Sequence, residues 1–192
     1  MSATCGHRQG ESFAVALEDV NRFRKEITIR HQVLRIDGQT VLALPKNNAV
    51  RAVPLATTAL NAIDAHVERY GTTRVRCSCC GKDWHVVFTN DDGELIKSWD
   101  FQRDVWNPTL AKVKPAAGKI NGQHNLRHYW VSSLIDGGAT PKDIQIWAGH
   151  KSIKTTYDVY GHLFEGSHDR ARSIIDQRFS SGAYPVRTAE IN

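Results

Sequence analysis

No stretch of this 192-residue chain approaches the ~18–20 consecutive apolar residues that a membrane-spanning helix needs. The N-terminus also lacks the basic-then-apolar pattern of a secretion signal, so the expected location is the cytoplasm. Cysteine is sparse: Cys5 stands alone, and Cys77, Cys79 and Cys80 crowd into one short segment. Adjacent cysteines are poor partners for each other, which excludes a secreted disulfide framework and fits reduced thiols. No internal repeat or low-complexity tract appears.

What is present is an ordinary globular composition, 41% hydrophobic and 23% charged, enough for one substantial core and too apolar for wholesale disorder. The formal net charge of +5 makes a polyanionic partner plausible. Charge alone identifies no chemistry.

Periodicity along the chain predicts an α+β fold, mainly helical, with a small three-stranded antiparallel sheet near the N-terminus. A short helix is expected from Gly10 to Leu17. The strands are expected over Glu26 to Ile36, Gln39 to Leu44 and Val50 to Leu55, the first two joined by Asp37-Gly38, a strong hairpin signal, and the third following an Asn47-Asn48 turn. Thr57 or Thr58 is placed to cap a helix that runs to Tyr70-Gly71. Thr72 to Trp84 shows no clear period, Val86 to Phe88 is a short strand candidate, and Asn90 to Gly93 is a turn. A helix capped by Ser98 should run to Val113, bent or split at Pro108, and Pro115 to Lys119 reads as a loop. The remainder reads helical: Asn125 to Asp136, Pro141 to Ala148 behind a Thr140 cap, Ser152 to Tyr160, and Ser167 to Phe179. The tail from Ser180 is polar and expected to be mobile.

The chemistry concentrates between His124 and Phe164. His124 and Arg127 are three apart, so both project from one face near the start of a helix. A guanidinium there, on a stripe with Val131 and Leu134, calls for an anion, either a carboxylate of the protein or a phosphate of a ligand. His150 follows Gly149, a natural helix terminator that presents the imidazole at a fixed place. Tyr160 shares a helical stripe with Ile153. Taken singly, these are a salt-bridged arginine, a polar helix stop and a core tyrosine. Their ordered combination is what carries meaning.

That combination, His124-x-x-Arg127, Gly149-His150 and Tyr160-Gly-His-Leu, resembles the active site of the tyrosine recombinase (phage integrase) family. Upstream, Cys5-Gly-His-Arg8-Gln-Gly-Glu11 resembles the family's T-G-x-R-x-x-E segment, and Pro45-Lys46 resembles its hairpin lysine. The likeness runs from about Cys5 to Phe164 and is nearest to phage or mobile-element integrases of bacteria. It implies six catalytic residues: Arg8, Lys46, His124, Arg127, His150 and Tyr160. By resemblance, Tyr160 attacks the scissile phosphodiester and becomes linked to the DNA 3′-phosphate, while Arg8 and Arg127 hold the non-bridging oxygens. Lys46 protonates the leaving 5′-oxygen, His124 accepts the tyrosine proton, and His150 donates to the phosphate. A phenol with a pKa near ~10 needs such help at neutral pH. No ATP, metal or other cofactor is implied; the implied partners are double-stranded DNA and, on synapsed sites, a homo-tetramer.

Residues 1–179 are therefore expected to form a catalytic domain that lacks the family's DNA-clamping N-terminal domain, followed by a tail over 180–192. The alternative is a truncated remnant that binds DNA without completing recombination. Cys77, Cys79, Cys80 and His85 offer zinc-ligand chemistry, but C-x-C-C reads more naturally as part of a reduced hairpin. His128 and His162 read as neighbours of the site, and Arg22, Arg24, Arg30, Arg51 and Arg74 as solvated surface charges.

Overall fold

The computed structural model describes residues 1–45, 48–113, 122–164 and 167–180. Lys46, the Pro115 to Lys119 loop and the tail beyond Ser180 lie outside the described residues.

The chain opens with two short helices, α1 (Ser2–Cys5) and α2 (Gln9–Phe13), separated by Gly6 in a left-handed conformation at φ 64°. The expected helix from Gly10 to Leu17 thus starts one residue earlier and stops at Phe13. A 3-10 turn over Leu17–Asp19 follows it.

The period-2 run from Glu26 to Ile36 is two strands rather than one. Its first half, β2 (Glu26–Ile29), lies between β1 (Val20–Asn21) and β5 (Arg51–Pro54) in a three-stranded antiparallel sheet. Its second half, β3 (Gln32–Ile36), pairs only with β4 (Gln39–Ala43). The expected three-stranded sheet exists, but β1 replaces the 39–44 strand in it. The break falls at Arg30-His31, where Arg30 reaches Asp19 at 2.9 Å and His31 packs edge-on against Trp84. Apolar alternation continues through the break, with Ile27, Ile29, His31 and Val33 all buried, so the sequence carries no mark of the change of partner. The β3–β4 turn is the one the sequence demands, with Asp37 and Gly38 both at positive φ.

Helix α3 (Thr57–Tyr70) ends at Gly71 as expected but is capped by neither threonine; Ala56 is its N-cap. The segment without clear period is a β-hairpin, β6 (Thr73–Arg76) with β7 (Asp83–Val86), whose alternation is masked by polar residues on both faces. Helices α4 (Ser98–Phe101) and α5 (Asn107–Val113) are joined by a π-helical turn over Gln102–Trp106. Pro108 has no N–H to continue the α ladder, and the wider turn just before it absorbs the lost bond.

Four helices complete the described fold: α6 (His124–Asp136), α7 (Pro141–Ala148), α8 (Ile153–Tyr160) and α9 (Ser167–Ser180). Thr140 caps α7, accepting the Asp143 N–H at 3.2 Å, with Pro141 at the first helical position. Apolar residues of α6, α7 and α8, including Trp130, Val131, Ile144 and Ala148, bury one cluster, to which Tyr160 contributes its ring. Trp147 touches both this cluster and the one under β2 and β5, so the helical and sheet layers share a boundary. At that boundary, Gly6 presses on Trp130: a side chain at Gly6 would place its first carbon 2.3 Å from the indole. None of the described helices is long and apolar enough to cross a membrane.

Candidate active site

Helix α7 ends at Gly149, whose left-handed φ of 64° turns the chain away and leaves the last carbonyls of the helix without intrahelical partners. Three successive carbonyls there each accept from a different arginine. Arg51 Nε donates to Trp147 O at 2.8 Å, Arg127 Nη2 donates to Ala148 O, and Arg8 Nη2 donates to Gly149 O at 3.3 Å. The negative end of the helix dipole favours this clustering of cations.

Arg127 sits deepest, only 3% exposed, and its other terminal nitrogen donates to Gly6 O, tying α6 to the α1–α2 junction. Burial lowers its pKa to about 10, with Arg8 and Arg51 pushing the same way, so it remains charged at neutral pH. Sequence reading expected Arg127 to hold a carboxylate or a phosphate. Within the protein it holds backbone carbonyls, and the carboxylate belongs to Arg51 and Arg8. Glu11 accepts from Arg51 Nη2 at 2.7 Å and Nη1 at 3.1 Å, and from Arg8 Nη1 at 2.9 Å.

Arg51 is therefore not the solvated surface charge that its sequence context suggested. It is 8% exposed and structural. The signal was available, because in β5 the burial alternates and places Arg51 on the same face as Val53. Glu11 closes the Cys5-to-Glu11 motif, yet nothing in the sequence shows it to be the carboxylate shared by two arginines.

Tyr160 ends α8 with its side chain turned inward, 5% exposed, and its hydroxyl lies 2.6 Å from His128 Nδ1. The His124 ring packs edge-on against His128 at 4.7 Å between centroids. His128, read from sequence as a neighbour, is thus the imidazole on the tyrosine hydroxyl, and His124 stands behind it. His150 Nδ1 bonds Thr156 Oγ1 at 2.9 Å. Desolvation, followed by the charges of Arg127, Arg8 and Arg51, lowers the His150 pKa to about 4. Desolvation, with His128, Arg127 and Arg8, also lowers that of His124. Desolvation raises the Tyr160 pKa, and Arg127 pulls against it.

Three arginines converge here, two of them on one carboxylate, and the pKa values of both flanking histidines are lowered. This is an arrangement with a deficit of negative charge. An open depression of about 600 Å³ adjoins it, lined by Arg8, Arg51, Gly149, His150 and Lys151. Arg8 is the most solvent-accessible of the Glu11-linked pair, its side chain 36% exposed against 5% for Arg51. Five of the six sequence-predicted residues fall among the described ones, and Arg8, Arg127, His150, His124 and Tyr160 are linked by the bonds and charges above.

Acid should unfold this arrangement. Burial alone would raise the Glu11 pKa, but the hydrogen bonds and charge of Arg51, aided by Arg8, lower it from 4.5 to about 2. The unfolded chain therefore takes up the proton first, and the stability Glu11 contributes is present above pH 4.5 and lost as pH falls toward 2. Buried His7 acts in the same direction, since desolvation lowers its pKa from 6.5 to about 3. Denaturation followed across pH should show stability falling below 6.5 and more steeply below 4.5. Glu11→Gln should lose about 3 kcal/mol at neutral pH, because it leaves Arg51 buried without a counter-charge. A Glu11→Gln protein as stable as the original would contradict the role of this carboxylate.

The chain resembles known proteins along most of its length. Residues 2–166 match the phage integrase family. The ICEBs1 integrase of Bacillus subtilis (strain 168) is 27% identical over 177 residues, which cover 89% of this chain and 45% of that protein. Tyrosine recombinase XerD of Corynebacterium glutamicum is 28% identical over 176 residues, covering 86% of this chain and 50% of the relative. The chain thus spans about half the length of these relatives. Among solved structures, the Tn1549 transposon integrase in complex with circular intermediate DNA superimposes with a TM-score of 0.73 at 21% identity, over 92% of this chain and 57% of that one. XerH recombinase bound to difH substrate gives 0.62 at 18% identity, over 91% of this chain and 44% of its own. These two likenesses establish a shared fold, and the match over residues 2–166 shows that the chain belongs to the phage integrase family.

Proposed function

We propose that this chain is the catalytic domain, over residues 1–179, of a site-specific DNA recombinase that cuts and rejoins strands through a 3′-phosphotyrosyl intermediate in the cytoplasm. The observation that carries this reading is the Tyr160 hydroxyl, bonded to an imidazole and lying within the electrostatic reach of a buried arginine. In this reading a scissile phosphate of double-stranded DNA enters the depression beside Arg8 and His150 and supplies the missing negative charge.

The Tyr160 oxygen then forms a bond to phosphorus as the bond from phosphorus to the 5′-oxygen breaks. With the Nε2–H tautomer, His128 Nδ1 takes the tyrosine proton, and His124 supports the charge that develops. Arg8, Arg127 and the His150 imidazole stabilise the extra charge of the pentacoordinate state. Lys46 as the donor to the leaving 5′-oxygen rests on the family resemblance. Rejoining is the same step reversed with a new 5′-hydroxyl. One phosphodiester is exchanged for another, the phosphotyrosine, so its bond energy is kept and no nucleotide is consumed.

The test is capture of denaturant-stable protein–DNA adducts from a sequence-randomised library of nicked duplex suicide substrates. Tyr160→Phe should abolish the adduct and Tyr157→Phe, whose side chain is half-exposed, should retain it. Arg8→Ala should lower adduct formation about 10²–10³-fold, the range for removing one donor to a developing charge. Arg8 is the better probe than Arg127, which also ties the fold together. Binding without any adduct from the unaltered chain would favour the DNA-binding remnant, and an adduct surviving Tyr160→Phe would refute the nucleophile.

Helix α9 supports assembly as a homo-tetramer on synapsed DNA. Its Ile174, Ile175 and Phe179 are 51%, 55% and 60% exposed on one stripe, which suits burial against a neighbouring subunit. Removing residues from Ser167 onward should abolish cooperative assembly in sedimentation on two-site DNA while leaving single-site binding. Equal loss of both would argue against this role.

A further inference from the structure

The cysteine cluster lies in the β6–β7 hairpin, apart from the residues assembled around Tyr160. Cys77 and Cys80 have two residues between them, the spacing at which a tight turn can aim two sulfurs at one metal ion. The turn is of that kind: the Gly81 N–H donates to Cys77 O at 2.9 Å, the Cys77 N–H donates to Lys82 O at 2.8 Å, and Gly81 takes a left-handed φ of 64°.

Opposite the turn stands His31, at the break between β2 and β3. It is 3% exposed, and its Nδ1 has no hydrogen-bond partner. A buried imidazole nitrogen without a partner is costly in an apolar setting. One ring nitrogen of His31 and the sulfurs of Cys77 and Cys80 all lie within 4.8 Å of one another. Tetrahedral zinc, with bonds of about 2.3 Å to sulfur and about 2.0–2.1 Å to nitrogen, needs ligand separations of about 3.5–3.8 Å. Cys80 is exposed, so a rotation of its side chain can close that gap.

We propose that His31, Cys77 and Cys80 bind a zinc ion. The fourth corner faces solvent on the side of Cys79, whose sulfur is 2.7 Å from that of Cys77; this thiol or a water molecule fills it. His85, the histidine nearer in sequence, takes no part, because it is held by Glu18 at 2.6 Å. Asp19 Oδ2 stands 3.9 Å from His31 Nδ1, beyond hydrogen-bond reach. The ion would staple the hairpin to β3 and β4. The chain is already strapped there: Ser78 N–H and Oγ both donate to Leu42 O, each at 2.9 Å.

The experiment is metal analysis of the purified full chain, prepared under reducing conditions with zinc supplied, together with cobalt substitution. One zinc per chain is expected, and cobalt should give thiolate charge-transfer and tetrahedral visible bands. Cys80→Ser, at a solvent-exposed position and therefore folded by circular dichroism, should lose both, as should His31→Gln; His85→Asn should keep both. Removing zinc by chelation should lower the melting temperature of the unaltered chain and leave that of Cys80→Ser unchanged. Reduced protein that takes up neither metal would overturn the proposal, as would full occupancy in a folded Cys80→Ser chain or loss of metal in His85→Asn.

Discussion

Arg51, Arg127 and Arg8 grip three consecutive carbonyls at the end of α7, and the geometry around Tyr160 depends on that grip. The three come from β5, α6 and the α1–α2 segment, so one helix terminus gathers the sheet, the central helix and the N-terminal segment at one place. Gly149 makes the terminus available, since its left-handed turn bares the carbonyls. A side chain there would also meet Arg51 at 3.1 Å. Gly6 plays the complementary part by turning its carbonyl to Arg127 while lying flat on Trp130.

The grip has an electrostatic consequence. Carbonyl oxygens satisfy hydrogen bonds but carry no net charge, and among the described residues Glu11 is the carboxylate bonded to the cluster. The excess positive charge helps to hold His150 and His124 neutral, while its pull on Tyr160 opposes the effect of burial. A phosphate would relieve this imbalance. The fold stabilises a cation cluster that is incomplete without an anion, which is the condition for binding energy to be expressed in a transition state with added negative charge.

Much of this was legible in the sequence, for identifiable reasons. Helices α6, α7 and α8 were found within two residues because glycines end them and Thr140-Pro141 and Ser152 start α7 and α8. The Asp37-Gly38 turn was found because two positive φ angles leave few alternatives. Ordered motifs picked out Arg8, His124, Arg127, His150 and Tyr160, which the fold links from distant points of the chain. What escaped was pairing. Nothing local announces that the run from Glu26 to Ile36 changes partner at Arg30-His31, that Arg51 and Arg8 share Glu11, or that His31 faces a cysteine turn some forty-five positions downstream. The choice between His124 and His128 for the tyrosine hydroxyl was equally hidden, because both fall on one face of α6 and only packing decides which reaches α8.

The central claim is that converging arginines form a binding place for a phosphate near Tyr160, and His150, which lines it, reports on it directly. Its imidazole resonance should be followed by proton NMR against pH, in the free chain and with a short duplex bound. The account predicts that free His150 titrates well below the ordinary histidine range, at about 4, and that its pKa rises on binding DNA as a phosphate offsets the arginine charges. A His150 that titrates at the unperturbed value of 6.5 in the free chain and does not respond to DNA would contradict it.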